Sequence, residues 1–170
     1  MSAGDRAAAL TRIGQQAGRT LTEEGTLTGS VIGVGIDAVD VERFRGVIGR
    51  RTNMAGRLFT EGEQAYARAA IDPIPRMSTR FAAKEATMKA LGVGLGAFPF
   101  VEVEVVRVGL GAPLLVLHGE AEELAGRRGV ARWHLSLTHT DLVAVAIVVA
   151  EGGQGGGVSA AGSPDRATKP

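Results

Sequence analysis

The pattern of apolar and polar residues predicts one strand and then two helices in the first half of the chain. Residues 31–39 form an almost continuous apolar run that contains two glycines, which is typical of a buried strand. Asp40 follows this run in the position of a helix N-cap, and the helix after it would bury one apolar stripe: Val41, Phe44 and Val47/Ile48. Thr60 and Glu63 have the spacing of a capping box, so they predict another helix that ends near Ala70.

A longer helix and a group of strands are predicted in the second half. Residues 72–75 contain two prolines and interrupt the chain, because proline neither donates a hydrogen bond nor continues a helix. The longer helix would then run from about Met77 to Leu91 and stop at Gly92. Valines alternate with glutamates over residues 101–105, which predicts a half-exposed strand. An apolar strand, a short helix and two closing strands would follow, at residues 114–118, 120–127, 133–138 and 142–149.

This order of elements, with the helices gathered early, predicts a single α+β domain that has an antiparallel sheet and a long central helix. The domain would span residues 31–151. Residues 1–30 are rich in Ala, Gly, Thr and Gln, and residues 152–170 are dominated by Gly, Ser and Ala. Because neither end has the apolar pattern of a core, we expect a flexible N-terminal extension and a disordered Gly-rich tail.

Composition excludes several classes of protein. The formal net charge of +1 argues against a general nucleic-acid or membrane binder, which would carry a basic excess. The chain has no cysteine, so it has no disulfide, no thiolate metal site and no cysteine nucleophile. The first thirty residues have no continuous apolar run, and the apolar run at residues 142–150 is too short to span a bilayer as a helix. We therefore expect a soluble cytoplasmic protein.

Two carboxylates have settings that are unusual for surface acids. Asp37 ends an apolar strand next to glycines that let another group approach the backbone, and Glu85 is surrounded by alanines in the middle of a helix. Hard oxygen ligands of this kind suit Mg²⁺, which binds one or two carboxylates and completes its shell with water and substrate phosphate. Lys89 lies four residues after Glu85, on the same helix face. The alternatives are a surface ion pair between Glu85 and Lys89 and a capping role for Asp37.

Three segments resemble the holo-acyl-carrier-protein synthases, a family of 4′-phosphopantetheinyl transferases. Gly-Ile-Asp-Ala-Val at residues 35–39, followed by Arg43, is similar to the first signature segment. Arg-Phe-Ala-Ala-Lys-Glu-Ala at residues 80–86, continuing to Gly92, is similar to the second, which is highly specific. Ser-Leu-Thr-His-Thr at residues 136–140 resembles a weaker third segment. The resemblance covers residues 31–150 in order, although Ala112 stands where the family commonly has a basic residue.

The resemblance implies a function and a set of site residues. A serine of an apo acyl carrier protein would attack the β-phosphorus of coenzyme A, and adenosine 3′,5′-bisphosphate would leave. Asp37 and Glu85 would bind Mg²⁺, which offsets negative charge on the pyrophosphate. Lys89 would contact the coenzyme A phosphates and stabilise or protonate the leaving phosphate. Glu85, directly or through a water molecule, would take the serine proton.

A basic segment indicates where the carrier would dock. Five arginines and no acidic residue occur between positions 43 and 57: Arg43, Arg45, Arg50, Arg51 and Arg57. Acyl carrier proteins are acidic, so a basic helix beside the metal site would attract them. The resemblance assigns carrier docking to Arg43, and Arg50 lies two turns further along the same face. The alternative is a solvated helix face. The family also implies a homotrimer with coenzyme A bound between subunits. Two kinds of carrier stay open, one of fatty-acid synthesis and one of polyketide synthesis.

Other interpretations stay open on the sequence alone. His139 matches a family position near bound coenzyme A, but a structural role fits it equally well, and His134 with His139 could instead form a metal pair. The same carboxylates would also serve a magnesium-dependent pyrophosphate hydrolase. A third possibility is a coenzyme A-binding module that does not catalyse a reaction.

Overall fold

The computed structural model describes residues 29–50, 53–107, 109 and 111–153. Most of the predicted N-terminal extension and Gly-rich tail therefore lies outside the described residues, as does Arg51 of the basic segment. Within the described part of the chain, no helix is long and apolar enough to cross a membrane. The elements, in chain order, are β1 (Val31–Asp40), α1 (Val41–Arg50), α2 (Met54–Leu58), α3 (Glu61–Arg68), α4 (Ile74–Ala90), a 3₁₀ turn (Phe100–Glu102), β2 (Val103–Arg107), β3 (Pro113–Leu117), α5 (Gly119–Arg127), β4 (Val130–His139) and β5 (Val143–Gly152).

The strands form two antiparallel sheets, and α4 is the central helix. The larger sheet has the order β1-β5-β4, and β2 pairs with β3 in a separate hairpin. Helix α4 packs on one face of β1 and β5, where β5 presents a row of small buried residues: Ala144, Ala146, Val148 and Ala150. The predicted α+β class, antiparallel pairing and long central helix are confirmed. The division of the strands into two sheets was not part of the prediction.

Two glycines of β1 allow α4 to lie directly against the strand. A Cβ atom at Gly35 would be 1.8 Å from the carbonyl oxygen of Ala86, and one at Gly33 would be 2.0 Å from that of Ala90. No side chain fits into such a gap, so strand and helix meet backbone to backbone. The sequence predicted a close approach at these glycines, and the long helix is the group that makes it.

On the opposite face of the sheet, β1 and β5 carry apolar side chains that no described residue covers. Ile36 lies opposite Ile147, and Val34 lies opposite Val149, on the side away from α4. Val34, Ile36 and Ile147 are all exposed. Large exposed apolar patches of this kind are typical of association surfaces.

Three local predictions differ from the structure. The short helix α2 was not predicted. Helix α4 begins at Ile74 rather than Met77, because Pro75 lies in the first turn, where a missing backbone N–H costs nothing. The predicted half-exposed strand is wrong at its polar positions, since Glu102 belongs to the 3₁₀ turn and Glu104 is buried. Glu104 accepts hydrogen bonds from the Thr60 hydroxyl at 2.7 Å and from His118 at 3.1 Å.

A buried ion pair joins α3, α4 and β2. Lys84 and Glu63 have side chains that are 0% and 1% exposed, and the Lys84 Nζ lies 2.8 Å from the Glu63 Oε2. The same ammonium donates to the carbonyl oxygens of Phe100 and Val103, while the carboxylate accepts from the backbone N–H groups of Thr60 and Val105. The bond to Thr60 completes the predicted capping box. Because every donor of the ammonium has a partner, the pair fixes how α4 sits against its neighbours.

Candidate active site

Strand β1 and helix α4 bring Asp37 and Glu85 together. Asp37 lies two residues after Gly35 and therefore on the same strand face, which α4 covers. Its side chain is 9% exposed, and its buried Oδ2 atom has no hydrogen-bond partner among the described residues. A buried carboxylate oxygen without a partner is unfavourable unless a proton donor or a cation reaches it. Glu85 of α4 forms a side-chain hydrogen bond with Asp37, so the structure joins the two carboxylates that the sequence selected.

The environment of Glu85 raises the pKa of its carboxyl group. Partial burial is the largest cause; the negative charge of Asp37 and a side-chain hydrogen bond with Asp37 add to it, while Lys89 opposes the shift. Burial and the charge of Asp37 both disfavour a negative charge on Glu85. A bound cation would favour the charged form, so the pair is suited to hold one.

Lys89 forms its ion pair with Asp37. Its Nζ lies 2.8 Å from the Asp37 Oδ1 and also donates to the carbonyl oxygen of Ile36 at 3.0 Å. The alternative of an ion pair between Glu85 and Lys89 is therefore wrong, because the close packing of α4 on β1 puts Asp37 within reach of the ammonium. Asp37, Glu85 and Lys89 form one site.

The donor set fits Mg²⁺ with a bound phosphate. In the described part of the chain, no group of three or more His, Cys, Asp or Glu side chains could enclose a metal ion. Two hard carboxylates are, however, what Mg²⁺ takes from a protein when water and substrate phosphate complete its octahedron. The unpartnered Asp37 Oδ2 is an oxygen that such an ion would satisfy.

The histidines are not part of this carboxylate cluster. His139 is exposed at the end of β4, on the same sheet face as Asp37 but two strands away and two residues further along, about 12 Å by strand geometry. His134 is five residues earlier and so faces the other side of the sheet, where it hydrogen-bonds to Glu151. A metal pair of His134 and His139 is therefore wrong. His139 remains a prediction as a coenzyme A contact.

The basic segment presents a smaller charged surface than the sequence predicted. Arg45 is bound by Asp72 through two hydrogen bonds of 3.1 and 2.7 Å, so its charge is already paired. Arg43 and Arg50 remain exposed on α1, and Val47, which is 40% exposed, lies between them. Spacings of four and three residues put these side chains on one helix face. This face is both basic and apolar.

A cluster of arginines around Tyr66 was missed. The guanidinium carbons of Arg80 and Arg76 lie 4.0 and 4.7 Å from the centre of the Tyr66 ring. Arg107 donates to the Tyr66 hydroxyl at 3.4 Å and, as the largest cause, lowers the pKa of that phenol. The buried Nε of Arg80 has no partner among the described residues. The i,i+4 spacing of Arg76 and Arg80 was the only signal in the sequence, because Tyr66 and Arg107 come from α3 and β2.

Comparisons with known proteins identify the family. The profile of the 4′-phosphopantetheinyl transferase superfamily matches residues 33–147. A holo-[acyl-carrier-protein] synthase from Frankia casuarinae is 47% identical over 122 residues, which is 72% of this chain and 98% of the relative. The crystal structure of the Neisseria meningitidis synthase has a TM-score of 0.65 and 31% identity, and the match covers 72% of this chain and 99% of that one. The Bacillus anthracis synthase, solved in complex with CoA (3′,5′-ADP), has a TM-score of 0.61 and 30% identity over 72% and 98% of the chains.

The chain belongs to the 4′-phosphopantetheinyl transferase superfamily, and within it to the holo-acyl-carrier-protein synthases. The family that the three sequence segments indicated is confirmed.

Proposed function

We propose that the chain transfers the 4′-phosphopantetheine group of coenzyme A to a serine of an apo acyl carrier protein and releases adenosine 3′,5′-bisphosphate. One observation carries the proposal: the β1–α4 contact gathers two carboxylates and a lysine, and one carboxylate oxygen is buried without a partner. Such a site suits a pyrophosphate bound together with Mg²⁺. Membership of the synthase family supports the same reaction.

Each site residue would have a separate role. Asp37 and Glu85 would hold Mg²⁺, which supplies positive charge to offset that of the pyrophosphate. Lys89, with a half-exposed side chain, would bind a phosphate oxygen and stabilise the leaving adenosine 3′,5′-bisphosphate. Glu85, directly or through a water molecule, would accept the proton of the carrier serine. His139 would contact coenzyme A.

The basic and apolar face of α1 is the proposed docking site for the carrier. Arg43 and Arg50 would attract an acidic protein, and Val47 between them offers an apolar contact. Such charges mainly speed encounter and set orientation. A hydrolase would need no such face, so the exposed arginines favour transfer to a protein over hydrolysis.

Assembly and location are also part of the proposal. The exposed apolar side chains of Val34, Ile36 and Ile147 would be covered by further copies of the chain, and the family resemblance favours a homotrimer. A domain of this size buries a limited share of its surface alone, so association is physically reasonable. The absence of cysteine is compatible with the cytoplasm.

Mass spectrometry of the carrier tests the function. The chain is incubated with coenzyme A, Mg²⁺ and apo carriers of fatty-acid and of polyketide synthesis, side by side. We expect the mass of phosphopantetheine to be added to at least one carrier, and Asp37→Asn to reduce the rate at least 100-fold. Glu123→Gln, a change of an exposed acid on α5, is the control and should keep normal activity. Free phosphopantetheine would identify a hydrolase, and bound but unreacted coenzyme A would identify a binding module.

A further inference from the structure

The carboxylate that would hold the metal ion already has a cationic partner. The Lys89 ammonium lies 2.8 Å from the Asp37 Oδ1 and 3.0 Å from the Ile36 carbonyl oxygen. The Asp37 side chain is almost fully buried, so few cations can reach it at once. The ammonium binds Oδ1, while Oδ2 has no hydrogen-bond partner among the described residues. A divalent cation bound at Oδ2 would lie close to this ammonium, and the two positive charges would repel each other. Lys89 and a metal ion would therefore compete for Asp37.

Lys89 is able to leave Asp37. Its side chain is 52% exposed, and lysine has a flexible four-carbon stem. Because the ammonium is half-exposed, water can solvate it when it leaves, and a divalent cation can take over the compensation of the buried carboxylate. By contrast, the buried Lys84 has three bonded donors and no comparable freedom. Of these two lysines of α4, only Lys89 is suited to exchange.

We propose that Lys89 is an exchangeable counter-ion of Asp37. A divalent cation displaces its ammonium, which then becomes available to a phosphate oxygen of coenzyme A. The two ligands thereby help each other to bind, because the metal releases the lysine that the coenzyme uses, and the coupling is the same in both directions. The inference rests on the proposed function, from which it takes the metal ion and the coenzyme.

Calorimetry with Mg²⁺ alone is the first test. Exchange predicts that Lys89→Met binds Mg²⁺ about two- to fivefold more tightly than the unmodified chain, the factor expected for losing an exposed ion pair. Lys89→Arg keeps the positive charge and should bind Mg²⁺ no more tightly than the unmodified chain. Arg68→Met, which removes an exposed charge at the end of α3, is the control and should leave the affinity unchanged. If Lys89 instead held Asp37 in place for the metal, Lys89→Met would bind Mg²⁺ more weakly.

Repeating the titration at saturating coenzyme A separates exchange from simple repulsion. Under exchange, the lysine contacts a phosphate in the ternary complex, so the advantage of Lys89→Met should disappear. Under repulsion alone, the positive charge stays beside Asp37 and the advantage should persist. Circular dichroism and thermal unfolding of each variant show whether the fold is intact, so that changed affinity is not mistaken for unfolding.

The outcomes also separate this inference from the proposed function. Equal or weaker Mg²⁺ binding by Lys89→Met, or an advantage that persists with coenzyme A, overturns the exchange while transferase activity stands. If Mg²⁺ does not bind the unmodified chain and Asp37→Asn transfers normally, the metal assignment fails and the exchange fails with it.

Discussion

Replacing Lys84 with methionine would measure how strongly the buried ion pair holds α4 in place. Methionine keeps most of the length of the apolar stem but removes the ammonium. Glu63 would then be a fully buried carboxylate without its cation, and the carbonyl oxygens of Phe100 and Val103 would lose a donor. Breaking one side of a buried ion pair costs about 3–5 kcal/mol. Since a domain is stable by only about 5–15 kcal/mol, this is a large fraction of the total.

Urea unfolding followed by circular dichroism is the appropriate assay for Lys84→Met. The matched control is Arg127→Met, which removes a cation from an exposed i,i+4 pair with Glu123 and should cost less than about 0.5 kcal/mol. The double variant Lys84→Met/Glu63→Gln removes both charges. We expect it to be more stable than Lys84→Met alone, because no buried charge is then left unpaired.

Two results would refute this reasoning about Lys84. A loss below about 1 kcal/mol would mean that Glu63 finds another cation or becomes neutral at little cost. Losses that simply add in the double variant would mean that the two side chains do not stabilise each other. In either case, the pair would not be what fixes α4 against α3 and β2.

Two further predictions concern the site. The pKa of Glu85 is raised above its ordinary 4.5, so this carboxyl favours folding below that pH and loses the contribution as pH rises. With divalent cations removed by a chelator, Glu85→Gln should therefore raise the melting temperature at pH 7.5 and raise it less at pH 4; an equal gain at both would contradict the shift. Arg43→Glu should raise the KM for the carrier, leave that for coenzyme A nearly unchanged and weaken the salt dependence, whereas the control Arg68→Glu should do none of these. An equal increase in both KM values would indicate that Arg43 has a structural role.

The sequence predicted the elements because each carries its own local signal. The capping box of Thr60 and Glu63 and the glycines of β1 function as the pattern indicated. Local spacing predicted the wrong interaction where a side chain's partner comes from a distant element. An i,i+4 spacing favoured Glu85 as the partner of Lys89, yet the packing of α4 on β1 provides Asp37 instead.

The sequence pattern also did not predict which charged side chains are buried. The glutamates between valines indicated a solvent-exposed strand face, but Glu104 is buried, with Thr60 and His118 as hydrogen-bond partners. Lys84 gave no sign of burial, because its partner Glu63 is 21 residues away. Periodicity reports the average polarity of a position and not whether a tertiary partner exists there. The resemblance to a family identified Asp37 and Glu85 as ligands, but the residues alone left that assignment open.

The glycines of β1 have a consequence for how this site tolerates change. Because Gly33 and Gly35 let the strand touch the carbonyl groups of Ala90 and Ala86, no core side chain lies between β1 and α4 at these points. The span between the two carboxylates is therefore set by main-chain geometry, which hardly varies, and not by side-chain volume, which varies with every substitution. Repacking the core elsewhere would change the stability of the fold long before it changed the spacing of Asp37 and Glu85.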